Sequence, residues 1–148
     1  MKNPPTYDDA NLILKLYDLR REAKLREARK WFGMAPQFQT HEEFLAMCPP
    51  GSDANTYARM VASYWDMAAS FVVTGVLNRE LFYRANNQEL LFVWEKMRKI
   101  VPTMREKNKN PLQFSQMEDV ANGYIEFLQE KAPGFYESFS DYVSKIGR

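Results

Sequence analysis

Val61, Ala62, Trp65, Met67, Ala68, Ala69, Phe71, Val72 and Val73 lie so close together that a helix through them is apolar on nearly every side. Such a helix is buried over most of its surface, either in lipid or in the middle of a protein core. Length decides against lipid. The longest nearly apolar run, Met67 to Leu77, contains Ser70, Thr74 and Gly75, whereas a spanning helix needs about 20 apolar residues. The segment of about residues 53–74, capped by Ser52 or Asp53 and stopped by Gly75, is therefore predicted to be the central helix of a soluble core. A chain of 148 residues can bury such a core without disulfide staples. Residues 1–148 are read as a single helical domain.

The helical period runs through the rest of the chain, and strand alternation is nearly absent. Thr6 and Asp9 form a capping pair. The stripe Leu12, Leu16, Leu19, Ala23, widened by Ile13 and Tyr17, then drifts to Leu25, Ala28 and Phe32 before Gly33. This predicts one long first helix over about residues 7–32. Thr40 and Glu43 make a capping box for a short helix that Pro49-Pro50-Gly51 ends. Asn78 caps another short helix through Tyr83. Asn86 or Asn87 starts a longer one carrying Leu90, Leu91, Val93, Trp94, Met97, Ile100 and Val101. Pro102 falls inside that pattern and either kinks the helix or restarts it. A helix from about Phe114 to Leu128 follows, and after Pro133-Gly134 a last one carries Phe135, Phe139, Tyr142, Val143 and Ile146. The predicted fold is all-α, an irregular bundle of five to seven helices.

Several kinds of chemistry are excluded by counting. The single cysteine, Cys48, permits no intramolecular disulfide. With the single histidine, His41, it cannot build the usual Cys/His zinc site or a Glu-x-x-His di-iron site. The six glycines stand too far apart to cradle a phosphate. No metal and no cofactor are expected. The start Met-Lys-Asn-Pro-Pro-Thr lacks the apolar stretch of a signal peptide, so a soluble, cytoplasmic chain without a transmembrane segment is expected. Lys and Arg number 20 against 19 Asp and Glu, a net charge of +1, which exerts no overall pull on nucleic acid or an anionic membrane.

The charge is nevertheless segregated. Arg20, Arg21, Lys24, Arg26, Arg29 and Lys30 oppose only Glu22 and Glu27, and Glu22 can pair with Arg26 one turn on. A second basic run holds Lys96, Arg98, Lys99, Arg105, Lys107 and Lys109. An acidic run follows: Glu118, Asp119, Glu126, Glu130, Glu137 and Asp141. Segregation of this kind suits pairing of helices, within the chain or between copies. No recognition motif accompanies it that would favour nucleic acid. The leading reading is a non-enzymatic protein-interaction or self-association module, with Arg20, Arg21, Lys24, Arg29 and Lys30 as its face and a homo-oligomer as its simplest form.

The competing reading is a small-molecule binder or an undescribed enzyme, with a pocket between the Trp65 and Trp94 helices. Trp65 and Trp94 would be its walls and Asp66, Glu95, Arg98 and Arg105 its polar groups. Asp66 stands inside the most apolar helix, where a dry carboxylate can act as a general acid or base. Its plainer role is structural, satisfied by Arg59, Arg98 or Arg105. His41 and Cys48 lie on one short helix, but nothing supplies the orienting third group that a nucleophile pair needs. The aromatic residues around Tyr64, Phe71, Phe82, Tyr83 and Phe92 read as core.

From about Met60 to Leu128 the chain carries Thr74-Gly75-Val76-Leu77, Glu80-Leu81-Phe82 and Leu91-Phe92-Val93-Trp94-Glu95. Arg105, Asn110-Pro111 and a helix opening near Phe114 and Glu118 complete the pattern. With Gly75, Trp94, Arg105 and Pro111 in this order, the stretch resembles an uncharacterised bacterial domain family of unknown function. The resemblance implies a helical domain. It brings no activity, substrate, cofactor or site residue.

Overall fold

The computed structural model describes residues 4–85 and 88–148. Among them the chain forms nine helices and no strand: α1 (Tyr7–Leu19), α2 (Ala23–Met34), α3 (His41–Met47), α4 (Asp53–Val73), α5 (Arg79–Arg84), α6 (Gln88–Met97), α7 (Val101–Asn108), α8 (Ser115–Lys131) and α9 (Phe135–Lys145). The fold is all-α, as the periodicity predicts. Asn86 and Asn87, the expected start of α6, lie outside the described residues.

Nine helices stand where five to seven are predicted, because two predicted helices are each divided. The first breaks at residues 20–22. Arg20 ends α1, and the Glu22 carboxylate accepts from the Leu25 backbone N–H at 2.9 Å, which makes Glu22 the N-cap of α2. Glu22 is thus a cap, not the helical partner of Arg26. Gly33 lies inside α2 and does not end it. The second division is at Pro102, which occupies the first turn of α7, where its missing N–H has no helical acceptor to lose. Pro102 therefore separates two helices instead of kinking one.

Helix α4 is the centre. Helices α2 and α8 pack along it, and α5 and α6 also touch it. Ala58, Ala62, Ala68 and Ala69 are buried on α4, and small side chains at a contact let helix axes come close. Ser52 Oγ accepts from the Asn55 N–H at 3.1 Å to start the helix. Gly75, at φ 85°, ends it in the left-handed conformation that glycine adopts without a Cβ penalty. Away from α4, α6 packs on α8, α9 packs on α6 and α8, and α1 packs on α5. One buried cluster draws side chains from every helix, from Leu16 to Val143.

Both predicted capping pairs form, one completely. Thr6 Oγ1 accepts from the Asp9 N–H at 3.2 Å, and Asp9 accepts from the Thr6 N–H at 2.7 Å. Thr40 accepts from the Glu43 N–H at 3.1 Å, while the Glu43 side chain pairs with Arg148 at 3.3 Å. Asp9 does a second job: its other oxygen accepts from the Asn78 N–H at 2.8 Å, which ties α1 to the start of α5.

Candidate functional site

The six residues expected to line a pocket fall into separate groups. Trp65 is fully buried, and its indole N–H donates to Glu89 at 2.9 Å. Trp94 is buried in the same cluster. Glu95 and Arg98 are brought together, with Arg98 Nε donating to the carboxylate at 3.0 Å. Glu95, fully buried, also accepts from the Tyr136 hydroxyl at 2.8 Å and the Ser140 hydroxyl at 2.7 Å. Burial first, and the bond to Glu95 second, push the Tyr136 hydroxyl above its ordinary value. The chemistry of this group is a clamp between α6 and α9.

Asp66 and Arg105 act on the connection between α7 and α8. The Asp66 carboxylate accepts from the Met117 backbone N–H at 3.0 Å and from the Gln116 amide at 3.3 Å. Arg105 donates to the Gln113 carbonyl at 2.8 Å and pairs with Glu118 at 2.8 Å. The donors expected for Asp66 were arginines. The actual donors are the Met117 backbone N–H, one of the amides that a helix N-terminus leaves unpaired and that attract a carboxylate for the same electrostatic reason, and the Gln116 side-chain amide.

The basic run is sorted by its two helices. Arg20 is 9% exposed, its guanidinium lying 5.0 Å from the Tyr17 ring centre and 5.2 Å from that of Trp65. Arg29 grips Glu89 with two nitrogens, at 2.9 and 2.7 Å, and donates to the Arg20 carbonyl at 3.2 Å. The bond to Glu89 raises the Arg29 guanidinium above its ordinary value. Arg20 and Arg29 are thus built into the fold. Arg21, Lys24, Arg26 and Lys30 remain exposed on or beside α2, and among the described residues none of them forms an ion pair with a carboxylate.

Two hubs are hidden in the sequence because their partners are distant along it. Glu89 joins Arg29 and Trp65. Lys96, read as part of a basic run, is fully buried. Its ammonium donates to the carbonyls of Phe32 at 2.7 Å and Gly33 at 3.1 Å and to that of Ala35, and it lies 4.6 Å from the Phe92 ring centre. The legible warning is that Glu95 and Lys96 interrupt a helix otherwise made of Leu90, Leu91, Val93, Trp94 and Met97. Cys48 is buried as well, and burial pushes its thiol up to about 11. A thiol held protonated is a packing group and a poor nucleophile.

Tyr7, Leu14 and Tyr17 on α1 are 91%, 64% and 55% exposed. Near the α1–α2 turn, Leu19, Leu25, Met60, Tyr64 and Met67 line a shallow groove of about 530 Å³. No helix among the described residues is long and apolar enough to cross a membrane.

A family model, that of the domain of unknown function DUF4760, matches residues 5–124. No curated protein and no solved structure matches the chain.

Proposed function

The chain belongs to the DUF4760 family, a domain of unknown function, and we propose that it is a non-enzymatic self-association module whose copies meet through oppositely charged faces. The observation that carries this reading is a pair of unmatched surfaces. Arg21, Lys24, Arg26 and Lys30 are exposed at the α2 side and form no ion pair among the described residues. Glu126, Glu130 and Glu137 are exposed on α8 and α9, and they too have no ion-pair partner among the described residues. In a chain of net charge +1, a second copy offers each face the sign it lacks. Complementary potentials of this kind steer encounter and set register. Because the two faces differ, the contact is head-to-tail and builds rings or open chains. The exposed apolar side chains of α1 and the groove beside Leu19 supply the non-directional part of the attraction. A buried free thiol fits a reducing, cytoplasmic setting for the module.

Sedimentation velocity at about 50 mM and about 500 mM salt tests the reading, since salt screens exposed charges. Association at low salt that weakens at high salt is expected. The triple variants Lys24→Glu, Arg26→Glu, Lys30→Glu and Glu126→Lys, Glu130→Lys, Glu137→Lys should each be monomeric alone and should associate when mixed. A chain that stays monomeric at low salt and about 0.1 mM protein, well above the range of a micromolar complex, overturns the proposal.

A further inference from the structure

Helices α3, α4 and α7 and the connection into α8 surround a cavity of about 630 Å³, well within the span of about 300–1,000 Å³ that small-molecule sites occupy. Phe44, Met60, Met104 and Phe114 make much of its wall. Most of the polar side chains in the wall are already used. The Asn55 amide donates to the Cys48 carbonyl at 3.0 Å, and the Asn108 amide donates to the Gln113 side-chain oxygen at 2.9 Å. The hydroxyls of Thr56 and Ser63 turn back onto carbonyls of their own helix.

Two groups are not used. Arg59 reaches the cavity, is exposed, and makes no ion pair with any carboxylate among the described residues. His41 also lines the cavity, stacked on Phe44, and its Nδ1 is buried without a hydrogen-bond partner. The far wall is held under strain. Phe114 has φ 57° and Lys109 φ 51°, a backbone region that costs side-chain-bearing residues energy. Arg105 on the Gln113 carbonyl and Asp66 on the Met117 N–H hold the chain on either side of Phe114. The fold thus maintains an unfavourable backbone conformation that seats an aromatic ring against the cavity, a pattern that accumulates at binding sites.

We propose that this cavity binds a small monocarboxylic acid with an apolar body. The apolar wall takes the body. The Arg59 guanidinium takes the carboxylate through two parallel N–H···O bonds, the geometry that its planar fork matches best. The charge count selects the class: Arg59 is the one Lys or Arg in the wall among the described residues, so a single negative charge is matched and a phosphate dianion is not. The site is independent of the charged faces of the self-association reading, because Arg59 belongs to neither.

Titration calorimetry at pH 7 with 4-phenylbutyrate and octanoate as probes tests this. The neutral 4-phenylbutanol and the dianionic octyl phosphate serve as comparisons. One carboxylate should bind per chain, at least about tenfold more tightly than the alcohol, as expected for a charge-assisted bidentate contact. Arg59→Gln should reduce the acid to the affinity of the alcohol and leave the alcohol unchanged. Its unfolding midpoint should match the parent, since Arg59 is exposed and makes no ion pair. Met60→Trp should fill the cavity and weaken both. The proposal is overturned by the absence of binding for both carboxylates, by equal binding of acid and alcohol, by tighter binding of octyl phosphate, or by unchanged affinity in the Arg59→Gln variant. Sedimentation of the same variant should be that of the parent, so a failure here leaves the self-association reading untouched.

Discussion

A lysine buried without a carboxylate must be compensated by dipoles, and Lys96 is surrounded by them. The Phe32, Gly33 and Ala35 carbonyls belong to the end of α2, where a helix presents unpaired acceptors and a partial negative charge. Burial still wins in part, and it pushes the ammonium down from 10.5 to about 8. The unfolded chain therefore holds this proton at pH values where the folded chain has released it. Folding stability should be lowest below about pH 8 and should rise above it, by up to about 1.4 kcal/mol per pH unit. Cys48, raised from 9.0 to about 11, acts with the opposite sign above pH 9, because there the folded state holds the extra proton. The clean window is about pH 8 to 9. Urea unfolding across it should give an increasing midpoint for the parent and a flat one for Lys96→Met. That variant should also be less stable throughout, since the Gly33 and Ala35 carbonyls lose the ammonium donor and the Phe32 carbonyl keeps only the Ala35 N–H, and a carbonyl left unpaired costs about 1–3 kcal/mol before relaxation. Equal slopes in the two proteins would mean that the carbonyls and rings fully offset the burial. Residues of this kind escape sequence reading. Thr6 and Asp9 announce themselves by a three-residue spacing, whereas Lys96 meets partners that stand about sixty positions away.

At the scale of the helix, the ends of α8 and α1 are instructive for opposite reasons. Helix α8 has no cap of its own, since Phe114 stands at the N-cap and offers no side-chain acceptor. Its cap is Asp66, delivered from the centre of α4. Asp66→Ala should therefore cost about 1–2 kcal/mol, the range of a lost helix cap, and should speed amide exchange in the first turn of α8 more than in α4. Exchange that changes only in α4 would contradict this. No local pattern marks such a cap, and a carboxylate in an apolar helix looks the same whether it serves catalysis or a neighbour. The break between α1 and α2, by contrast, falls inside what is predicted as one long helix, although the sequence carries a sign of it. Leu12, Leu16 and Leu19 share one helix face, but at about 100° per residue Leu25, Ala28 and Phe32 lie roughly half a turn away from it. One straight helix cannot bury both stripes against the same core, so the drift from one to the other was the mark of two helices. Pro102 was ambiguous from sequence because the same ring either kinks a helix or begins one, and the choice depends on what Val101 and Ile100 are buried against.

At the scale of the whole molecule, the family match ends at residue 124, but the core continues. Phe139 and Val143 of α9 belong to the buried cluster, and Tyr136 and Ser140 satisfy the buried Glu95. A chain ending at Ala132 would expose the apolar side chains under α9, at about 1.5–3 kcal/mol for each one fully buried, and would strip Glu95 of two donors. Against a usual total stability of about 5–15 kcal/mol, the truncated chain should melt at least about 10 °C lower or lose cooperative unfolding. An unchanged melting temperature would show that α9 is an appendage. What the sequence alone determined is the class of structure: helix periodicity, end signals at Thr6, Ser52, Gly75 and Gly134, and the all-round apolar segment that became α4. These follow from interactions a few residues apart along the chain, which a linear pattern records. Only the tertiary structure decided which charges were used up inside. It took Arg20, Arg29, Asp66, Glu89, Glu95 and Lys96 into the fold and left Arg59, Arg21, Lys24, Arg26 and Lys30 exposed, with no ion pair among the described residues. Burial and pairing depend on which distant helices meet, and that is a property of the packed bundle.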